Sequence, residues 1–226
     1  DRWQPSILRM LKKIKQTKSE KLLLIFLILL AIFSLVSFYL IKNKCLFVEK
    51  VNLKKLVFNN PENIAVLKVP CGNVVIELIP SISPNSVERF KTLIKNSEYD
   101  NVAFHRVVEN FLVQAGDLEF GKKENINYTY IGSGRSKYDL IKPETDQPFE
   151  FKKGTIAFAK SKNGDTEDSE FLILLDDAFL FEGEYTPLGR VISGITALEK
   201  IKFNDQSEYV LRPDFISSFK MFADIN

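Results

Sequence analysis

Histidine and cysteine are nearly absent from this chain, with one of the first and two of the second among 226 residues. A single histidine removes the usual routes to a His-built metal centre. No metal and no cofactor is expected. Cys45 and Cys71 are too few for a disulfide framework, and no Cys-x-x-Cys pair suggests a redox motif or a zinc ribbon. They either pair with each other or stay free. Internal repeats and low-complexity tracts are missing as well. Beyond residue 55 no basic patch with interleaved aromatic residues occurs, so nucleic acid is not an expected partner. One long apolar run and no nucleophile constellation leave a transporter or a protease without support.

The charge is unevenly placed. Residues 1–55 carry 12 Lys/Arg against 3 Asp/Glu, whereas 56–226 carry 19 against 26, so a formal charge of +2 hides a basic segment before a mildly acidic domain. Leu22 to Ile41 reads LLLIFLILLAIFSLVSFYLI, without a charge. At about 1.5 Å per residue that stretch spans roughly 30 Å, the thickness of a bilayer's hydrocarbon core. A buried core helix seldom runs so long without a polar face. A cleaved signal peptide has a shorter apolar region ending in small residues, whereas this one ends Tyr39-Leu40-Ile41-Lys42. A retained transmembrane helix over 22–41 is therefore expected, with a linker at 42–62. Before it, Ile7, Leu8, Leu11 and Ile14 fall at helical spacing among lysines, so 1–21 reads as a basic amphipathic segment: an interfacial helix, a docking helix or a solvated tail. Arg9, Lys12, Lys13, Lys15, Lys18 and Lys21 precede the span, and Lys42, Lys44, Lys50, Lys54 and Lys55 follow it. This small asymmetry favours the N-terminus on the cytoplasmic or matrix side. The chain opens on Asp1 rather than Met, which hints at processing or at an incomplete start.

From residue 63 onward the pattern is rich in short strands. Ile64–Val69 and Val74–Ile79 flank Pro70-Cys71-Gly72-Asn73 as a hairpin. Ser83-Pro84-Asn85-Ser86 then opens a helix, with Val87, Phe90, Leu93 and Ile94 on one face of Val87–Lys95. Further strands are expected at Ala103–Val108, Leu112–Ala115, Gly154–Ala159, Glu170–Leu174, Thr186–Ile192 and Phe215–Met221, with a second helix over Gly194–Ile201. Many short strands with two helices indicate a closed barrel or a sandwich, and the pattern alone goes no further.

Phe104-His105-Arg106-Val107-Val108-Glu109-Asn110-Phe111-Leu112-Val113-Gln114-Ala115-Gly116-Asp117 closely resembles the cyclophilin signature F-H-R-[VI]-[VI]-x-x-F-[ML]-[VIC]-Q-x-G-D. The likeness extends over about 64–224. Val74-Val75-Ile76-Glu77-Leu78 with Pro84 and Val87-x-x-Phe90 is similar to the family's first hairpin and helix. Gly154-Thr155-Ile156-Ala157-Phe158-Ala159, Ser169-Glu170-Phe171-Leu172-Ile173 and Gly183 to Val191 resemble its later strands. Asp176-Asp177-Ala178 and Pro213-Asp214-x-Ile216 look most like bacterial, particularly α-proteobacterial, members. The resemblance implies an eight-stranded antiparallel barrel capped by two helices, with the proline site in a groove on its outer face. Alternation then places Val74, Ile76, Leu78, Ile156 and Ile173 in the barrel core.

The resemblance also implies a peptidyl-prolyl cis-trans isomerase. Turning an X-Pro bond requires no nucleophile, acid, base or metal, because the obstacle is amide resonance, with a barrier of about 18–20 kcal/mol. At the twisted geometry the prolyl nitrogen regains a lone pair that a fixed cation can bond. Arg106 matches the family's catalytic arginine, whose planar and permanently charged fork suits that task. Phe111 and Leu112 match the floor and wall of the proline pocket, and Leu172 falls where a second phenylalanine is usual. Gln114 matches the residue that bonds the substrate backbone, and Ala159 the residue whose backbone pairs with the residue before proline. Tyr185 takes the usual His position, and Leu180-Phe181 stand where an aromatic-Leu pair is common, which places Phe181 in the substrate groove. His105 belongs to the signature as a structural residue. Glu170 in place of Gln, Lys160 in place of Asn, Leu172, and the poorly matching 118–153 imply altered substrate choice or reduced activity. The missing aromatic at 180 implies weak cyclosporin binding.

Together these readings predict a single-pass membrane protein whose 63–226 domain isomerises proline-containing polypeptides and assists folding at a membrane surface. The alternative is a cyclophilin-fold accessory subunit of a membrane complex, with other subunits as partners and weak or no activity. The charge bias puts the domain on the non-cytoplasmic side, such as a periplasm, an intermembrane space or a lumen. Asn127-Tyr128-Thr129 would be a glycosylation sequon only in a secretory lumen.

Overall fold

A computed structural model of the chain describes residues 17–160, 166–204 and 206–225. The basic stretch with Ile7, Leu8, Leu11 and Ile14 lies outside the described residues. The chain divides into two units, Asp1–Leu46 and Phe47–Asn226. In the first, helix α1 runs Lys18–Lys42, a full turn earlier than the apolar run alone suggested. Its start is fixed by a capping box: the Thr17 hydroxyl accepts from the Glu20 amide, and the Glu20 carboxylate accepts from the Thr17 amide at 2.7 Å. Lys42 in the last turn complements the negative end of the helix dipole. The helix is long and apolar enough to cross a membrane, and none of its apolar stretch is buried. Neither cysteine is free: Cys45 and Cys71 are both disulfide-bonded.

In the second unit eight strands form one antiparallel sheet: β1 Ile64–Val69, β2 Gly72–Leu78, β3 Arg106–Val108, β4 Leu112–Ala115, β5 Thr155–Phe158, β6 Phe171–Leu174, β7 Pro187–Ser193 and β8 Ser218–Met221. The spatial order is β3-β4-β6-β5-β7-β2-β1-β8. The edges β3 and β8 share no ladder. The segments leading into them are joined instead: Asn101 donates to the Ile216 carbonyl, Ile216 to Val102, and Phe104 to Asp214. This short seam curls the sheet into the expected barrel-like form and satisfies amides that a bare edge would expose. Register shifts beside Ile76 in β2 and Ala157 in β5 add local bend.

Helix α2, Pro84–Lys95, covers one end of the barrel. Pro84 suits the first helical turn, where its missing N–H costs nothing. The cap comes from far away in sequence: the Glu144 carboxylate accepts from the Asn85 and Ser86 amides, the latter at 2.8 Å. Val87, Phe90, Leu93 and Ile94 face inward as their spacing predicts. The second expected helix is reduced to one turn, α3 Ile195–Leu198. The interior holds Val74, Ile76, Leu78, Ile156 and Ile173, all buried. Phe90 is the hub of an aromatic cluster, its ring centroid 5.3 Å from Tyr99, 5.4 Å from Phe171, 5.6 Å from Phe219 and 5.8 Å from Phe158.

Strands β5 and β6 are buried at every position, β4 at all but Gln114. Their inward side chains join the core. Their outward ones, Leu112, Ala157, Leu172 and Leu174, belong to a second apolar cluster with Phe151 and Ala178. That outer layer explains runs without polar alternation in an antiparallel sheet, and it forms the foundation of the site. Within 47–62, Val48 is buried and Glu49 is bonded three times, by the Ser193 hydroxyl, the Gly194 amide and, through its own amide, the Thr196 hydroxyl.

Candidate active-site groove

The barrel's outer face carries a groove of about 560 Å³. Arg106, Gln114, Ala159, Leu172 and Tyr185 all line it, although they come from β3, β4, the end of β5, β6 and the approach to β7. Cross-strand pairing does the gathering. Arg106 lies opposite Gln114 in the β3–β4 ladder, and Gln114 lies opposite Leu172 in the β4–β6 ladder. Side chains of paired positions emerge on the same face. Phe111, Leu112 and Phe181 stand beside the groove in the outer apolar cluster, with Leu172 and Tyr185. Phe111 meets the edge of Phe181 at 5.9 Å, and Phe181 stacks on Tyr185 at 4.3 Å. Of the eight residues expected from the sequence, five line the groove, and Phe111, Leu112 and Phe181 pack in the cluster that Leu172 and Tyr185 share with it.

A polar strip crosses this apolar ground. Arg106 Nε donates to Glu208 Oε2 at 2.7 Å, and its Nη1 donates to Gln114 Oε1 at 3.2 Å. Gln114 Nε2 in turn donates to Glu170 Oε2 at 2.7 Å. A carboxylate only accepts, so Glu170 compels the amide of Gln114 to turn its nitrogen toward it and its oxygen toward Arg106. The replacement of a glutamine by Glu170 thus fixes an orientation that an amide there would leave open. His105, buried beside the strip, has Nε2 3.4 Å from Glu170 Oε2. Glu170 is placed by the core: the buried Tyr99 hydroxyl donates to the Ser169 carbonyl at 2.8 Å, and the Ser169 hydroxyl donates to the Gly116 carbonyl. Gly116 needs its missing side chain, because its φ is +106° and a Cβ would collide with the Ser169 carbonyl.

The backbone of Ala159 also contributes. Its N–H donates to the Glu170 carbonyl at 2.8 Å, so pairing with a ligand at this residue falls to its carbonyl. Next to it Lys160 lies 2.7 Å from Glu184 and over the ring of Tyr185 at 5.2 Å. That contact holds the Glu184 carboxyl below the ordinary carboxylate value.

The poorly matching stretch 118–153 supplies one wall. Asp117 accepts from the amides of Glu119 and Phe120 through one oxygen and of Gly132 and Gly134 through the other, folding the Gly132-Ser133-Gly134 turn against the groove. A Cβ on Gly134 would strike the Asp117 carboxylate. Farther along, Ser136 binds the Asp168 carboxylate through both its amide and its hydroxyl. Glu167, next to Asp168, is buried, and neither carboxyl oxygen reaches a donor within hydrogen-bonding distance. Burial pushes this group up to about 7, and the neighbouring Thr186 groups offset only part of the effect. Tyr209, which lines the groove, and its neighbour Glu208 carry no recognisable pattern in the sequence. Their role comes from a bridge to Arg106 formed by residues about a hundred positions away. Among the described residues no cluster of His, Cys, Asp and Glu is arranged to hold a metal ion.

The groove thus sets one doubly held guanidinium and an oriented amide beside an apolar cluster. The family described as cyclophilin type peptidyl-prolyl cis-trans isomerase/CLD matches residues 64–221. A probable peptidyl-prolyl cis-trans isomerase of Brucella suis is 37% identical over 169 residues, covering 73% of this chain and 85% of that protein. A peptidyl-prolyl cis-trans isomerase of Acinetobacter baylyi is 32% identical over 148 residues, covering 63% of this chain and 73% of the relative. Among solved structures, cyclophilin AquaCyp293 from Hirschia baltica superposes with a TM-score of 0.61 at 19% identity, over 74% of this chain and 76% of that one. A Cryptosporidium parvum cyclophilin-type isomerase, solved in the presence of the dipeptide Ala-Pro, gives 0.60 at 22% identity, over 70% and 98%. These two likenesses support the fold. The chain belongs to the cyclophilin-type peptidyl-prolyl cis-trans isomerase family.

Proposed function

We propose that this isomerase is anchored in a membrane by α1 and turns X-Pro bonds of polypeptides at that membrane's surface, with Arg106 as the catalytic residue. The observation that carries the reading is the meeting of Arg106 with the apolar cluster of Phe111, Leu112, Leu172, Phe181 and Tyr185. The proline ring leaves water for the apolar ground, Gln114 and the Ala159 carbonyl hold the flanking backbone, and the twisted bond is presented to Arg106. As conjugation breaks, the prolyl nitrogen becomes an acceptor and the guanidinium stabilises it more than it stabilises the planar amide. Only such differential stabilisation accelerates the step. Side chains and backbone supply everything required, since no bond is broken.

Disulfide-bonded cysteines suit an oxidising compartment. Together with the positive-inside bias they support a domain on the non-cytoplasmic side, in a periplasm, an intermembrane space or a lumen. The test uses the full chain in detergent micelles and a short X-Pro peptide. Acceleration is expected, with a loss of about a hundredfold or more in Arg106→Ala, the scale for removing a donor aimed at developing charge. A folded chain that accelerates nothing would refute the enzyme reading and turn the search to a stoichiometric membrane complex in which the domain is a fixed subunit.

A further inference from the structure

We infer that Glu208 is a positioning residue for Arg106, holding its guanidinium in the orientation that meets the prolyl nitrogen. The inference rests on the catalytic reading of Arg106 given above. Glu208 Oε2 accepts from Nε at 2.7 Å and lies 2.7 Å from Nη2, so one carboxylate oxygen engages the lateral edge of the guanidinium. Gln114 engages Nη1 from the other side. With Nε and Nη1 tied, the planar group cannot swing about its last torsions, while N–H groups of the terminal nitrogens remain for a substrate. The main chain that carries Glu208 is itself fixed. Val107 donates to the Glu208 carbonyl at 2.8 Å, Val210 donates to the His105 carbonyl at 2.9 Å, and Arg106 bridges Tyr209. These bonds are made by main chain and survive any change of the Glu208 side chain.

The pair contributes little to the fold. The Glu208 side chain is 54% exposed, and ion pairs in such surroundings add little stability. Its effect on Arg106 is of another kind, because a reacting group displaced by about 1 Å can cost a hundredfold in rate. A carboxylate beside a catalytic cation also drains its positive potential, which acts in the opposite direction. The two effects separate in the variants. Glu208→Gln keeps an acceptor and removes the charge, whereas Glu208→Ala removes both.

The experiment measures bound-state interconversion of an X-Pro peptide by exchange spectroscopy at saturation, with peptide affinity by titration, on the full chain in micelles. Positioning predicts a drop of about tenfold in the bound-state rate for Glu208→Ala, within the range expected of a misplaced group. Affinity and melting temperature should stay unchanged, and Glu208→Gln should restore most of the rate. In the Arg106→Ala background, Glu208→Ala should have no further effect, since it acts through Arg106. Unchanged rates in both Glu208 variants would overturn the inference, and so would rates raised in both. If Arg106→Ala keeps the full rate, the catalytic reading itself fails; if Arg106→Ala collapses while Glu208→Ala does not change, only the positioning role fails.

Discussion

Replacing Glu167 by glutamine tests the electrostatics of the loop beside the groove, and its sign follows from burial. Glu167 is fully buried, and its backbone pairs with Ile141 in both directions, at 2.9 and 3.0 Å. Its carboxyl, ordinarily near 4.5, is pushed up to about 7, first by burial, with Glu144 adding to the rise and the Thr186 groups and Lys160 opposing it. Below about 4.5 the group is protonated in both folded and unfolded chains and its ionisation has no effect on stability. Between 4.5 and 7 the unfolded chain releases this proton while the folded one retains it, so stability falls as pH rises, and it levels off above 7. The interval corresponds to about 3 kcal/mol at 1.36 kcal/mol per pH unit. For a domain of this size that is roughly 6–12 °C in melting temperature. Glu167→Gln resembles the protonated acid and cannot ionise. Near-ultraviolet circular dichroism of the micelle-bound chain, melted at pH 5 and pH 8, should therefore show a larger loss at pH 8 in the parent than in the variant. Comparing the two chains cancels every other titrating group. Parallel melting curves across that range would refute the argument, because they would mean that the carboxyl ionises without leaving its site or reaches water when it does.

Two further outcomes follow from packing. Phe90→Ala removes the hub ring shared by Tyr99, Phe158, Phe171 and Phe219, and should cost about 3–5 kcal/mol in denaturant unfolding, the usual scale for a buried phenylalanine. Leu180 is 90% exposed and offers no aromatic ring, so cyclosporin should bind weakly in a fluorescence or calorimetric titration, and Leu180→Trp should tighten it by adding an aromatic wall.

The sequence was most readable where function and packing depend on local order. The run from Phe104 to Asp117 contains Arg106, Phe111, Leu112 and Gln114, and one turn between β3 and β4 brings the first and last into register. Helix α2 was legible from Pro84 and from its apolar spacing, and α1 from its length without charge. What stayed hidden lies in long-range contacts between irregular segments. Glu144 caps α2 from nearly sixty residues away, and nothing in its own neighbourhood announces a cap. Asp117 shapes the Gly132–Gly134 turn through its carboxylate, a contact invisible to periodicity. Glu208 reaches Arg106 across the barrel seam, where short bridges replace strand pairing and no alternation marks the register. Strand ends drifted for the same reason: Ala103–Val108 contracts to Arg106–Val108 because its first half belongs to the seam.

The same contacts set the charge around the groove. Arg106 stands between Glu208 and, through Gln114, Glu170, so its charge is closely compensated within the strip. A compensated cation projects little field beyond a Debye length of about 8 Å, and long-range steering by Arg106 is correspondingly weak. The domain around it carries more acid than base, while the basic excess lies in residues 1–55. On the proposed reading, capture of a polypeptide then rests on short-range terms: burial of the proline ring against Leu172, Phe111 and Tyr185, and bonds to its backbone from Gln114 and Ala159. The geometry of the strip agrees with the proposed role of Arg106: N–H groups of its terminal nitrogens stay free for a twisted amide, and the two acids stand at the ends of the strip, where an apolar ring does not have to displace them.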